Sequence, residues 1–125
     1  TNTIMKGLEI KYTIDNFSGL VDISNADNED WPKSKKIGVY FFYSKDRELL
    51  YIGKSVCCIR NRFSNHLFTE TPNGYNEKSN DLILERRKSY YYFAYTIVEK
   101  GYVDMIERFL IQKHKPIFNT EFNYH

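Results

Sequence analysis

Five polar residues stand where either chemistry or solvent has to account for them. Glu107 lies four residues after Val103, one after Ile106 and three before Leu110, so it shares or borders the apolar stripe of a helix. A carboxylate there is partly desolvated, which is unfavourable unless a cation, a metal ion or hydrogen-bond donors face it. Taken alone, such a Glu more often reaches solvent or pairs with a neighbour such as Arg108 or Lys100. Arg62 and His66 are four residues apart and project from one face, beside a second stripe of Ile59, Phe63 and Leu67. A planar guanidinium suits a phosphate, and an imidazole can contact a phosphate or share a proton. By themselves a solvent-facing Arg and a rim His are the commoner explanation. Tyr40 and Tyr51 add two phenols on neighbouring extended segments. Lys54, Arg60 and Arg62 fall in a stretch, 54–66, without an acidic residue, and Arg86, Arg87 and Lys88 form a second basic spot, so both offer contacts to a polyanion.

These residues need a scaffold, and the patterning predicts one. Ile37–Tyr43 and Leu49–Ile52 are dense in β-branched and aromatic residues and are separated by the polar turn Ser44–Glu48, which predicts an antiparallel hairpin. Tyr40 and Phe42 face one side of their strand; Val39, Phe41 and Tyr43 face the other. Gly38 and Gly53 permit close approach of another element or of a ligand. A helix is expected over roughly 56–68, broken by Thr71-Pro72-Asn73-Gly74, with a second short helix at Ser79–Lys88. Tyr90–Val98 reads as a third strand. Val103, Ile106 and Leu110 mark a further helix that Pro116 stops. Ahead of the hairpin, a strand around Leu8–Ile14 and a polar stretch Ser24–Lys36, interrupted by Trp31-Pro32, read as an arm laid against the domain. The expected architecture is α/β (α+β): a small, mainly antiparallel three-stranded sheet flanked by helices. The arm spans 1–36, and the domain spans 37–125 with an insertion at about 69–89.

Composition bounds the remaining possibilities. A chain of 125 residues suits one domain, and 42% hydrophobic with 17% aromatic residues exceeds what a disordered chain carries. The formal charge of +2, from 18 basic and 16 acidic residues, does not by itself announce nucleic acid. Its distribution is uneven, since Asp22, Asp27, Glu29 and Asp30 crowd residues 21–30 with no Lys or Arg. Cys57 and Cys58 are adjacent, a poor geometry for a disulfide, which points to a reducing cytoplasm. With His66, His114 and His125 they show no spacing of a zinc cage, and no arrangement makes either one a hydrolytic nucleophile. There is no signal peptide and no apolar run near the ~18 residues that cross a bilayer, so no membrane partner is expected.

Gly38-Val39-Tyr40, followed after ten residues by Tyr51-Ile52-Gly53-Lys54, resembles the paired signature of the GIY-YIG nuclease superfamily. The resemblance extends in order through Arg62 with His66, through Glu107, and through Pro116-Ile117-Phe118-Asn119, and covers 37–119, about two thirds of the chain. The distance from Gly53 to Arg62 is one residue longer than the family pattern, with Cys57-Cys58 as the place of the extra residue, which leaves Arg60 as a minor competitor for the catalytic Arg. The four-residue spacing to His66 favours Arg62. The resemblance implies an endonuclease that hydrolyses DNA with one Mg²⁺, or Mn²⁺ in its place, held by Glu107. Arg62 would stabilise the phosphoryl charge. Tyr40 would act as general base or orient the water with Tyr51 placing it, although the two phenols could exchange roles and His66 could take the proton. Lys54 and the other basic residues would contact DNA, and Asn119 would buttress the site. The alternative is a DNA-binding or assembly module that keeps the fold and cleaves nothing; competent chemistry at every matched position speaks against it. Related domains serve restriction, repair, recombination and mobile elements, and the sequence does not choose among these.

Overall fold

The run Gly38–Tyr43 puts large apolar groups on both sides of an extended chain, and such a strand is stable only with both faces covered. The computed structural model, which describes residues 18–33, 35–68 and 77–121, places it at the centre of a sheet. Strand β2 (Gly38–Tyr43) pairs antiparallel with β3 (Leu49–Ser55) on one side and β4 (Tyr92–Ile97) on the other, while a two-residue strand β1 (Val21–Asp22) pairs with the far side of β4. Among the described residues the order β1-β4-β2-β3 leaves β3 as an edge. Helices α1 (Ile59–Leu67), α2 (Glu77–Arg86), α3 (Val103–His114) and α4 (Ile117–Glu121) flank the sheet. The expected class is therefore the observed one, with four strands in place of three. The extra strand comes from the arm, through Val21 opposite Phe93 and Asp22 opposite Tyr92. The strand expected at Leu8–Ile14 and the break at 71–74 lie outside the described residues.

Alternation along β2 builds two cores. Val39 and Phe41, with Ile52 of β3, pack against Val103, Ile106 and Leu110, the stripe of α3. Tyr40 and Phe42, with Tyr51 and Phe93, pack against Ile59, Phe63 and Leu67, the stripe of α1. Trp31 of the arm closes this second core, its ring 4.9 Å from that of Phe93 and 5.5 Å from those of Phe63 and Phe68. The hairpin turn is closed by the Ser44 hydroxyl, which accepts the Glu48 N–H at 3.1 Å, and Arg47 takes the left-handed conformation (φ 65°). Helix α1 starts three residues later than its pattern suggests. The Ser55 hydroxyl accepts the N–H groups of Cys57 (3.3 Å) and Cys58 (2.8 Å), holding Val56–Cys58 in a turn before the helix begins. Lys115 ends α3 in the left-handed region (φ 47°) just before Pro116. Among the described residues no helix is long and apolar enough to cross a membrane.

Candidate active site at the edge of the sheet

A cleft of about 300 Å³ lies along edge strand β3, lined by Tyr40, Tyr51, Lys54, Arg62 and Glu107 together with Ser55, Val56 and Cys57 of the following turn. Its residues arrive from both faces of the sheet. Tyr51 belongs to the core under α1, where Arg62 sits, whereas Lys54 has the parity of Ile52 and meets α3, where Glu107 sits. Gly53 lies opposite Tyr40 in the β2–β3 register, and a Cβ there would run into the Tyr40 ring. Gly38 does the same service toward β4, where a Cβ would meet the Thr96 carbonyl. Gly53 therefore sets the seating of the first phenol, while Gly38 lets β2 close onto β4.

Tyr40 has no exposed surface (0%), and Tyr51 has little (6%). The Tyr40 hydroxyl is 3.1 Å from His66 Nε2. Burial, followed by the nearby charges of Arg62 and Arg87, lowers the His66 pKa from its usual 6.5 to about 3. Burial thus favours the neutral imidazole, and His66 lies buried against the Tyr40 hydroxyl. Arg62, by contrast, is half-buried on the cleft wall, and its charge is felt at both His66 and Glu107.

Among the described acids Glu107 has the most unusual environment. Burial raises its pKa from 4.5 to about 7, against the opposing pull of Lys54. The Lys54 ammonium stands 3.9 Å from the Glu107 carboxylate and is also ion-paired with Asp104, which Arg108 holds at 3.2 Å. That pairing raises the Lys54 pKa and lowers that of Asp104. The ion-pair partner of Glu107 is thus Lys54 from β3, while Arg108 serves Asp104. Asp104 was not singled out in the sequence, although its place one turn before Glu107 was a usable signal.

The remaining residues fall into separate places. Asn119 is buried and clamps the edge strand, its Oδ1 accepting the Ile52 N–H and its Nδ2 donating to the Ile52 carbonyl, each at 2.8 Å. Arg60 lies on another side of α1, in a second cleft with Trp31, Phe68 and Ser64, and donates to the Pro32 carbonyl at 3.5 Å. The basic spot 86–88 does not act as one surface. Arg86 is buried, donates to the Phe118 carbonyl at 3.1 Å and lies 5.0 Å from the Phe118 ring centre, so it ties α2 to α4. Arg87 donates to the Asn65 carbonyl at 3.0 Å, and Lys88 is exposed beside Glu85. Cys57 and Cys58 are both free thiols.

As a metal site the donor set is limited. Among the described residues no group of three or more His, Cys, Asp or Glu side chains converges. A carboxylate on a cleft wall with room beside it for water is a donor set that fits Mg²⁺, which retains much of its hydration, and does not fit a caged Zn²⁺.

Comparison with known proteins places this arrangement. The UvrABC system protein C of Cytophaga hutchinsonii is 35% identical over 84 residues, which is 66% of this chain but 13% of that relative, so the chain spans only a small part of the relative's length. The profile of the UvrC-like GIY-YIG domain matches residues 36–120, from just before β2 into α4. The matched span contains both halves of the paired signature and every cleft residue, and the chain belongs to the UvrC-like GIY-YIG domain family.

Proposed function

We propose that this chain is a metal-dependent endonuclease domain that hydrolyses DNA phosphodiester bonds in the cleft beside β3. The observation that carries this reading is the convergence of Tyr40, Tyr51, Lys54, Arg62 and Glu107, drawn from four elements, on a single cleft. In-line hydrolysis needs an oriented water, cationic stabilisation of the phosphoryl oxygens and assistance to the leaving oxygen. Arg62 is the guanidinium that meets the phosphoryl oxygens, and Lys54 supplies a second positive charge at the rim. Glu107 is the ligand for one Mg²⁺ or Mn²⁺, which when bound would act as a Lewis acid on the phosphate. Its elevated pKa suits this role, because an under-neutralised carboxylate gains most from a cation.

The division of labour between the phenols favours Tyr51 as the group facing the attacking water. The Tyr40 hydroxyl is engaged by His66 and the residue is wholly buried, so Tyr40 serves better to hold the wall behind it. His66, with its lowered pKa, is a weak proton acceptor and belongs to this supporting layer.

Incubation of purified protein with plasmid, linear and branched DNA, with and without Mg²⁺, tests the reading, and mapping of the ends reports specificity. Mg²⁺-dependent cleavage that disappears in Glu107→Ala is expected. If the wild type binds DNA tightly yet cuts none with Mg²⁺ or Mn²⁺, the non-cleaving binding module replaces the enzyme.

A further inference from the structure

Lys54 has two acidic neighbours, and they are not equivalent. Its ammonium is paired with Asp104 and stands 3.9 Å from Glu107. Asp104 is half exposed, whereas the Glu107 side chain is 13% exposed and lines the cleft. The two carboxylates are three residues apart on α3 and so share a face, and Arg108 secures Asp104 from the next turn at 3.2 Å. A lysine ammonium on its flexible stem moves to whichever carboxylate attracts it most. The better-buried Glu107, where the effective dielectric is lower, would take it if Asp104 did not.

We infer that Asp104 is a positioning residue that holds the Lys54 ammonium at the rim of the cleft and so keeps the Glu107 carboxylate open to a divalent cation. The inference deepens the nuclease reading and rests on it. Without Asp104, Lys54 becomes an internal competitor of the metal: its ammonium sits on Glu107 and has to be displaced before the cation binds. With Asp104 present the positive charge of Lys54 stays beside the substrate phosphate while Glu107 serves the metal. A direct ligand role for Asp104 is the rival, and the two make opposite predictions for a double variant.

The test is calorimetric titration of the metal-free protein with Mn²⁺, for the wild type, Asp104→Asn, Lys54→Met and the double variant. Asp104 lies on the surface, so its isosteric replacement leaves the core untouched. Asp104→Asn is expected to weaken Mn²⁺ binding about fivefold, the scale of a partly exposed ion pair. The double variant is expected to recover wild-type Mn²⁺ binding, because the competitor has gone. In cleavage assays Asp104→Asn should raise the Mg²⁺ concentration for half-maximal rate by a similar factor and change the rate at saturating Mg²⁺ less. If the double variant binds Mn²⁺ as poorly as Asp104→Asn, Asp104 is a ligand and the inference fails. It also fails if Asp104→Asn binds like the wild type. A wild type that neither binds Mn²⁺ nor cuts DNA overturns the nuclease reading, and the inference with it.

Discussion

A carboxylate that titrates near neutrality leaves a mark on stability as well as on chemistry. The Glu107 pKa stands at about 7 in the folded chain against a usual 4.5. Below pH 4.5 the group is protonated both folded and unfolded and makes no difference. As pH rises from 4.5 to 7 the unfolded chain ionises it freely while the fold resists, so stability declines across that window, by on the order of 3 kcal/mol in total. In EDTA, Glu107→Gln should therefore melt like the wild type near pH 4 and at a higher temperature at pH 8. A lower melting temperature for Glu107→Gln at pH 8 would show instead that its ion pair with Lys54 is a net structural gain. Added Mg²⁺ should raise the melting temperature of the wild type and not of the variant. The two arginines of α1 give a second test at this scale. Arg62→Ala should lower single-turnover cleavage by about 10² or more with a much smaller loss of DNA affinity, as for removal of one preorganised charge-stabilising donor. Arg60 points about 200° away around the helix and should at most weaken binding and its salt dependence. A large rate loss confined to Arg60→Ala would mean that the extra residue in the turn before α1 had changed the register of the site.

The elements seat these residues through contacts that range from obvious to invisible in the sequence. Gly53 is an informative case: it faces Tyr40 across the hairpin, and a methyl group there overlaps the ring. Gly53→Ala should cost about 1–3 kcal/mol in urea unfolding, as overpacking does, and should reduce turnover by displacing the phenol. Unchanged stability and rate would show that the ring can move aside freely. The hairpin, α1 and α3 were legible because a period of two, or apolar residues at helical spacing, repeats within each of them, and a turn or proline marks their ends. The hairpin also made the approach of Tyr40 and Tyr51 legible. Strand β1 was not, since two residues carry no period. The Lys54–Asp104 pair joins residues 50 positions apart, and the Asn119 clamp joins residues 67 apart, so no local pattern reports either. The inward turn of Arg86 is hidden for the opposite reason. Three consecutive basic residues look like a solvated surface, yet helical geometry turns the first inward onto Phe118 while Lys88 stays outside.

Taken whole, the molecule is organised around α1, which separates two environments. Arg62 looks into the cleft beside β3, while Arg60 looks into the cleft formed with the arm, near the acidic run Asp22–Asp30. If the chain acts on DNA as proposed, an acidic arm on that side would repel a phosphate backbone and leave the Arg62 side as the favourable approach. The arm itself is held by the β1–β4 pairing and by Trp31 on Phe63, Phe68 and Phe93. Trp31→Ala removes a half-buried aromatic from the lid of the second core, so it should lower the unfolding free energy by about 2–3 kcal/mol, less than full burial would imply. Trp31 does not line the cleft beside β3, so turnover per folded molecule should stay near the wild-type value at a temperature where both proteins are folded. Urea titration and single-turnover cleavage on the same preparations separate the two effects. A fall in DNA affinity or rate with stability unchanged would make the arm part of the DNA-binding surface, and its acidic residues would then have to face away from the duplex.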